Sequence, residues 1–208
     1  MSTKSKRICF WLFTGVVLFL SAGAALCGAI GQWLAVNDPL PVRLDVLFTF
    51  GGENARVAYS RSLMERFPSA QWVISDNFLQ YSRILSREGF NMSRVTVLDT
   101  CRYTLSEVKA LAGWLQNNKG ALVSAAARDT AVPQVQVGLV SSPCHLRRIR
   151  FMARDVIRDT SFQCYCLPVP LERYGWTSGD LRHWWRTRAL RNWVVSETAK
   201  LLWYWLFS

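Results

Sequence analysis

Three short stretches carry residue types whose spacing could do chemistry: Gly51-Gly52 with Arg56, Thr104 with Glu107, and Ser142 with His145 and Arg148. A glycine pair lets backbone N–H groups approach an anion at a helix N-terminus, although it also simply makes a tight strand-to-helix turn. Arg56 lies in the first turn after that pair. There it either clamps a phosphate or carboxylate with two parallel hydrogen bonds or stands as a solvated helix arginine. His145 and Arg148 are three apart and share a helix face. The field at a helix N-terminus disfavours imidazolium, so His145 reads as a neutral base or ligand contact, with a structural cap as the plain alternative. Glu107 is the other acid–base group, yet with Thr104 it also completes a T-x-x-E capping box. Asp76 and Asp99 follow apolar runs and read as polar contacts or as caps. The site so drawn has His145 and Glu107 as catalytic groups, and Gly51, Gly52, Arg56, Asp76, Thr104, Ser142 and Arg148 as ligand contacts. No nucleophile stands out, because Cys144 points about 100° away from its neighbour His145 around a helix.

These groups need strands and helices to position them. Leu44 to Phe50 is a buried strand closed by the glycines, followed by a helix from Asn54 to Phe67 that Pro68 stops. Trp72-Val73-Ile74 is a second strand, ending at Ser75-Asp76, and a helix follows from Phe78 to Glu88. Val95 to Leu98 is a third strand, ending at Asp99-Thr100. The helix opened by Thr104 carries Leu105, Val108, Leu111, Ala112 and Leu115 as its apolar stripe and is expected to end at Asn117-Asn118-Lys119-Gly120. Residues Ala121 to Pro133 read as a loop or as added helical turns. Val135 to Val140 is the fourth strand. Ser142-Pro143 starts a helix with Ser142 as N-cap, and Phe162 to Val169 is the fifth strand. A helix from Arg186 to Phe207 closes the chain. Alternating strands and helices imply right-handed crossovers and a Rossmann-like, three-layer α/β domain with a parallel sheet. Sites in such sheets lie at the carboxyl ends of the strands, where all the residues above fall.

The N-terminus sets the expected location. No residue from Ile8 to Val36 is charged, and Lys4, Lys6 and Arg7 precede the run. As a helix it would be about 43 Å long, enough to cross a hydrocarbon core of about 30 Å. Trp11 and Trp33 fall near the two interfaces, and the basic flank places the N-terminus in the cytoplasm. A single-pass transmembrane helix is therefore expected over residues 1–36 with its basic tip, then a linker over 37–43 and the domain over 44–208. Ala22-Gly23-Ala24 also fits a signal-peptide cleavage pattern, but apolar character continues past it. Leu26 before Cys27 argues against a lipoprotein.

Composition excludes several classes. Half of the 208 residues are apolar and 19% are charged, unlike a disordered chain. Six cysteines are too few for a disulfide scaffold. With only His145 and His183, no zinc-ligand spacing appears, so no metal is expected; the residues leave the cofactor unknown. Cys101 and Cys144 both follow strands and could come together, and Cys164 and Cys166 on one strand would face the same side. The formal charge is +11. Arg147, Arg150, Arg154 and Arg158 form a basic stripe that reads as a solvated face or as a contact for anionic headgroups. The tail interleaves Trp176, Trp184, Trp185, Trp193, Trp203 and Trp205 with arginines, in keeping with packing over the sheet or with a membrane surface.

In Leu47-Phe48-Thr49-Phe50-Gly51-Gly52 with Arg56, in Thr104-Leu105-Ser106-Glu107, and in Val140-Ser141-Ser142-Pro143-Cys144-His145-Leu146-Arg147-Arg148, the chain resembles the YdcF/SanA/ElyC-like family of bacterial envelope proteins. The likeness runs from about Asp45 to Val169. It departs where the family has a second Gly-Gly, here Ser75-Asp76-Asn77, and at Val108, where the family has asparagine after its glutamate. The resemblance implies cell-envelope biogenesis or barrier function at the bacterial inner membrane. The expected partner is an anionic small molecule or lipid-linked envelope precursor, phosphorylated or carboxylated, and the reaction, if one occurs, phosphoester hydrolysis or transfer. Two other readings stand beside it: a non-catalytic membrane-surface scaffold or lipid-binding protein that uses the basic, tryptophan-rich tail, and a cytoplasmic nucleotide-binding enzyme. Nucleic acid is not an expected partner of an extracytoplasmic domain.

Overall fold

The computed structural model describes residues 14–15, 21, 23, 25, 28–76, 80–99, 101–128 and 134–207. Lys4, Lys6, Arg7, Trp11, Cys9, Cys27 and most of the apolar run lie outside the described residues, as do Asn77, Phe78, Thr100 and Pro133. Among the described residues, no helix is long and apolar enough to cross a membrane.

Five parallel strands make one sheet in the order β3-β2-β1-β4-β5. They are β1 (Val46–Thr49), β2 (Gln71–Ser75), β3 (Val95–Leu98), β4 (Val135–Ser141) and β5 (Phe162–Pro168). The three inner strands β2, β1 and β4 are rich in β-branched and other apolar residues and are buried on both faces, as a covered parallel sheet requires, while the edge strands β3 and β5 are only partly buried. Side chains alternate across β1. Val46, Phe48 and Phe50 enter the core shared with α3 (Thr104–Ala126) and α4 (Leu146–Val156). Leu44 and Leu47 enter the core shared with α1 (Asn54–Arg66) and α2 (Gln80–Arg87). The result is an α/β domain of three layers.

Helix α3 runs through the tract expected to end it. Asn118 donates to the Trp114 carbonyl at 2.8 Å, and Lys119 and Gln116 reach Asp159 at 2.6 and 3.1 Å. Beyond them Leu122 and Ala126 are buried, so tertiary packing overrides the weak helix propensity of Asn-Asn-Lys-Gly. Arg43 then closes the helix end by donating to the Ala126 carbonyl.

A third apolar cluster lies outside the sheet layers. Leu34 from helical residues 28–34 packs there with Cys144, with Leu181 of α5 (Ser178–Arg182), and with Leu190, Val194 and Leu201 of α6 (Arg188–Phe207). Gly31 is required at this contact: a Cβ would collide with the Leu181 carbonyl oxygen and the Trp184 ring. The basic stripe on α4 is partly consumed here, not simply solvated. Arg147 donates to the Trp33 carbonyl and lies over the Trp33 ring, 4.6 Å from its centroid, and Arg150 pairs with Asp38. Asp38 also accepts from the Cys166 N–H at 2.8 Å and donates its own N–H to the Cys166 carbonyl at 3.0 Å. The linker is therefore bonded to β5 and does not hang free. Of the tail tryptophans, Trp176, Trp184 and Trp193 pack against this outer cluster rather than over the sheet, while Trp185, Trp203 and Trp205 are exposed.

Candidate functional site

The strand order reverses between β1 and β4, and a cavity of about 590 Å³ opens at their carboxyl ends. Gly51, Gly52 and Arg56 reach it from the β1 loop and α1, and Asp76 from the end of β2. Thr104 and Glu107 reach it from the start of α3, and Ser142, His145 and Arg148 from the β4 loop and α4. All nine residues assigned to the site from sequence thus line one recess, whereas Asp99, just after β3, does not.

Their bonding differs from expectation at several points. The Gly51 and Gly52 N–H groups do not stand open to a ligand. Gly51 donates to Glu107 Oε1 at 2.8 Å and Gly52 to the Tyr81 hydroxyl at 3.0 Å. Gly52 has φ of 123°, a left-handed conformation that a side chain would strain, so the pair does make the tight turn. Glu107 is released from capping because the helix begins one residue earlier than the T-x-x-E reading places it. Tyr103 is the N-cap, and the Ser106 hydroxyl accepts from the N–H groups of Arg102 and Tyr103 at 3.1 Å each. Glu107 instead ties α3 to the β1 loop.

Ser142 is not a side-chain cap either. A 3-10 turn, Pro143–His145, precedes α4, and the Ser142 hydroxyl accepts from Arg56 Nη2 at 2.9 Å. The same guanidinium donates to the Gly51 carbonyl and, at 3.4 Å, to the Phe50 carbonyl. Arg56 is buried and cross-links the β1 and β4 loops, the opposite of a solvated arginine. Its Nε has no hydrogen-bond partner and lies 3.7 Å from Glu53 Oε2. Tyr174 fixes that carboxylate by donating to it at 2.7 Å. Asp76 takes its cap reading: Oδ2 accepts from the N–H groups of Tyr81 and Ser82 at 2.7 and 3.0 Å, at the start of α2.

His145 sits between two hydroxyls, Nε2 at 3.0 Å from Thr104 Oγ1 and Nδ1 at 3.0 Å from Ser141 Oγ. Burial, with Arg148, Arg56 and Lys200 nearby, holds its pKa well below the usual imidazole range. The ring is neutral at pH 7, as helix position alone implied, but the dominant cause is desolvation. A base whose folded pKa is depressed binds a proton more readily after unfolding. Its contribution is therefore complete above the unfolded value near 6.5 and declines as pH falls below it. This single proton is expected to cost about 1.4 kcal/mol per pH unit below pH 6. Denaturant titrations at pH 5 and 7 measure it, and His145→Asn should flatten the slope.

Burial and the nearby Glu197 carboxylate push the Cys144 thiol up to about 12, which removes it as a nucleophile. Cys144, Cys164 and Cys166 form no disulfide, and Cys164 and Cys166 do share one face of β5. Among the described residues, no cluster could hold a metal ion.

The sequence reading missed the wall supplied by α6. Trp193, Ser196, Glu197 and Lys200 line the cavity. Arg148 is not open to solvent: its Nε and Nη2 reach the Glu197 carboxylate at 2.9 and 3.3 Å. The signal was present in the tail, because Glu197 falls on the buried stripe Leu190, Val194, Glu197 and Leu201. A carboxylate on an apolar stripe needs a buried partner. No family model, curated protein or solved structure matches the chain.

Proposed function

We propose that this chain is an inner-membrane protein of bacterial cell-envelope biogenesis that binds an anionic envelope precursor, phosphorylated or carboxylated, in the cavity between β1 and β4. In this reading the apolar run Ile8–Val36 supplies, ahead of residue 28, a transmembrane anchor with its N-terminus in the cytoplasm, and the domain on which Leu34 and Val36 pack lies outside the cytoplasm. The observation that carries the binding proposal is the convergence of Arg56, His145 and Arg148 on one recess at the switch point of the sheet. The family resemblance supplies the envelope role. Of the two hydroxyls on His145, that of Thr104 lines the cavity, and a hydroxyl on a neutral imidazole is the arrangement that phosphoester hydrolysis or transfer would use.

The second reading, a membrane-surface scaffold, is favoured by the far end of α6. There Trp203, Trp205, Leu206 and Phe207 are 63–75% exposed. Apolar aromatic side chains on a basic protein suit a lipid interface.

Two variants and a truncation separate the readings. With the binding role, Arg56→Ala and His145→Ala abolish complementation of an envelope-permeability defect, and removal of residues 203–207 does not. The reverse pattern replaces the pocket with the tail. A reporter fused after Ser208 that is active only outside the cytoplasm tests the topology. A full-length fusion whose reporter stays inactive would overturn the envelope assignment.

A further inference from the structure

The charged groups lining the cavity are Arg56, Arg102, Arg148 and Lys200 against Glu53, Asp76, Glu107 and Glu197. Charge is thus balanced before any ligand arrives; with Arg102 exposed at the rim, an anion bound against the buried wall needs a cation that can be freed. Arg56 is tied to backbone carbonyls and to Ser142, groups that cannot leave without unmaking the β1 and β4 loops. Arg148 differs. Its partner is a side-chain carboxylate on a peripheral helix, held by two nitrogens of the guanidinium, and Lys200 Nζ reaches the same carboxylate at 2.8 Å.

Resting on the binding role proposed above, we infer that Arg148 and Lys200 form the oxyanion subsite of the cavity. The Glu197 carboxylate occupies that subsite as the chain's own surrogate, which an incoming phosphate or carboxylate displaces. The geometry describes the ligand: two oxygens of one planar or tetrahedral anion meet the guanidinium fork, and an ammonium closes on one of them. Structural need accounts poorly for the pair. A buried ion pair is seldom more stabilising than apolar side chains of similar volume, and this one lies on a helix whose inward stripe is otherwise Leu190, Val194 and Leu201. The carboxylate also faces the cavity rather than a closed core. Lys200 is half exposed, with 55% of its side chain accessible, so it can follow either anion without a desolvation cost. Trp193 on the preceding turn packs edge-on against Trp176 and Tyr174, which gives α6 a fixed pivot while Glu197 swings away.

The test is calorimetric titration of the detergent-solubilised full chain with inorganic phosphate and, separately, acetate. Glu197→Gln is expected to bind the preferred probe at least tenfold more tightly than the unsubstituted chain. Arg148→Met/Glu197→Leu is expected to bind it at least tenfold more weakly. The probe with the larger gain assigns a phosphoryl or a carboxylate ligand. Hydrogen exchange on the unsubstituted chain covers the case in which Glu197→Gln does not fold: saturating phosphate should speed exchange of the α6 amides around 193–201. Unchanged affinity in a folded Glu197→Gln, or unchanged or slower exchange in α6, overturns the surrogate role while leaving the pocket intact. Absence of binding of either probe to every form overturns the binding role itself, and the subsite with it.

Discussion

Glu197→Ala is expected to destabilise the fold by about 3–5 kcal/mol, because it strands the Arg148 guanidinium in a region where only about a tenth of its surface meets solvent. The pair has closed, two-point geometry, and no other carboxylate lies on α6 to replace it. Replacing both partners, Arg148→Met with Glu197→Leu, removes the stranded charge and keeps the volume, so the double variant should stay within about 1–2 kcal/mol of the unsubstituted chain. Chemical denaturation of the detergent-solubilised chain reads both. A double variant as unstable as the single one would show that α6 is held by something other than charge compensation. The comparison also bears on mechanism, since a helix whose inward stripe carries one displaceable carboxylate can respond to what enters the cavity.

Trp72→Ala is expected to cost a similar amount, about 3–5 kcal/mol, for a different reason. The indole is fully buried on the α1/α2 face of the sheet and stands edge-on to Phe90, 5.2 Å between centroids. Its Nε1–H donates to Thr49 Oγ1 at 2.8 Å, and that oxygen shares a 2.6 Å hydrogen bond with Ser60. Trp72→Phe keeps most of the volume but withdraws the donor, leaving the buried Thr49–Ser60 pair one partner short at about 1–3 kcal/mol. A denaturation midpoint for Trp72→Phe equal to that of Trp72→Ala would mean that the hydroxyl pair matters more than the packed ring. Because Trp72 lies on β2, which ends at Ser75 just before Asp76, the loss should also loosen the cavity's β2 wall.

Much of the layered fold is legible in the residues because its signals are local. Val95 to Leu98 is a strand in both sequence and structure, and Pro68 does follow the end of α1. The choice of loops that meet is legible as well, since parallel α/β sheets put strand ends on one rim. What each group does there is not local. Glu107 could be assigned to a cap only while the helix start was placed at Thr104 rather than Tyr103. Gly51 and Gly52 looked open because the acceptors that close them, Glu107 and Tyr81, lie far away in sequence. The length of α3 depends on Asp159, and the role of Arg148 on Glu197; no periodicity within either segment encodes those partners.

The joint at the front of the domain has a mechanical consequence. Leu34 is clamped in the outer cluster, Trp33 under Arg147, and Asp38 against both Arg150 and β5, so the chain enters the body with no swivel. Residues 28–38 and the cavity therefore move as one body. In the membrane-anchored reading proposed above, a site carried on such a joint would not sweep a volume in search of ligand but would be held near one height.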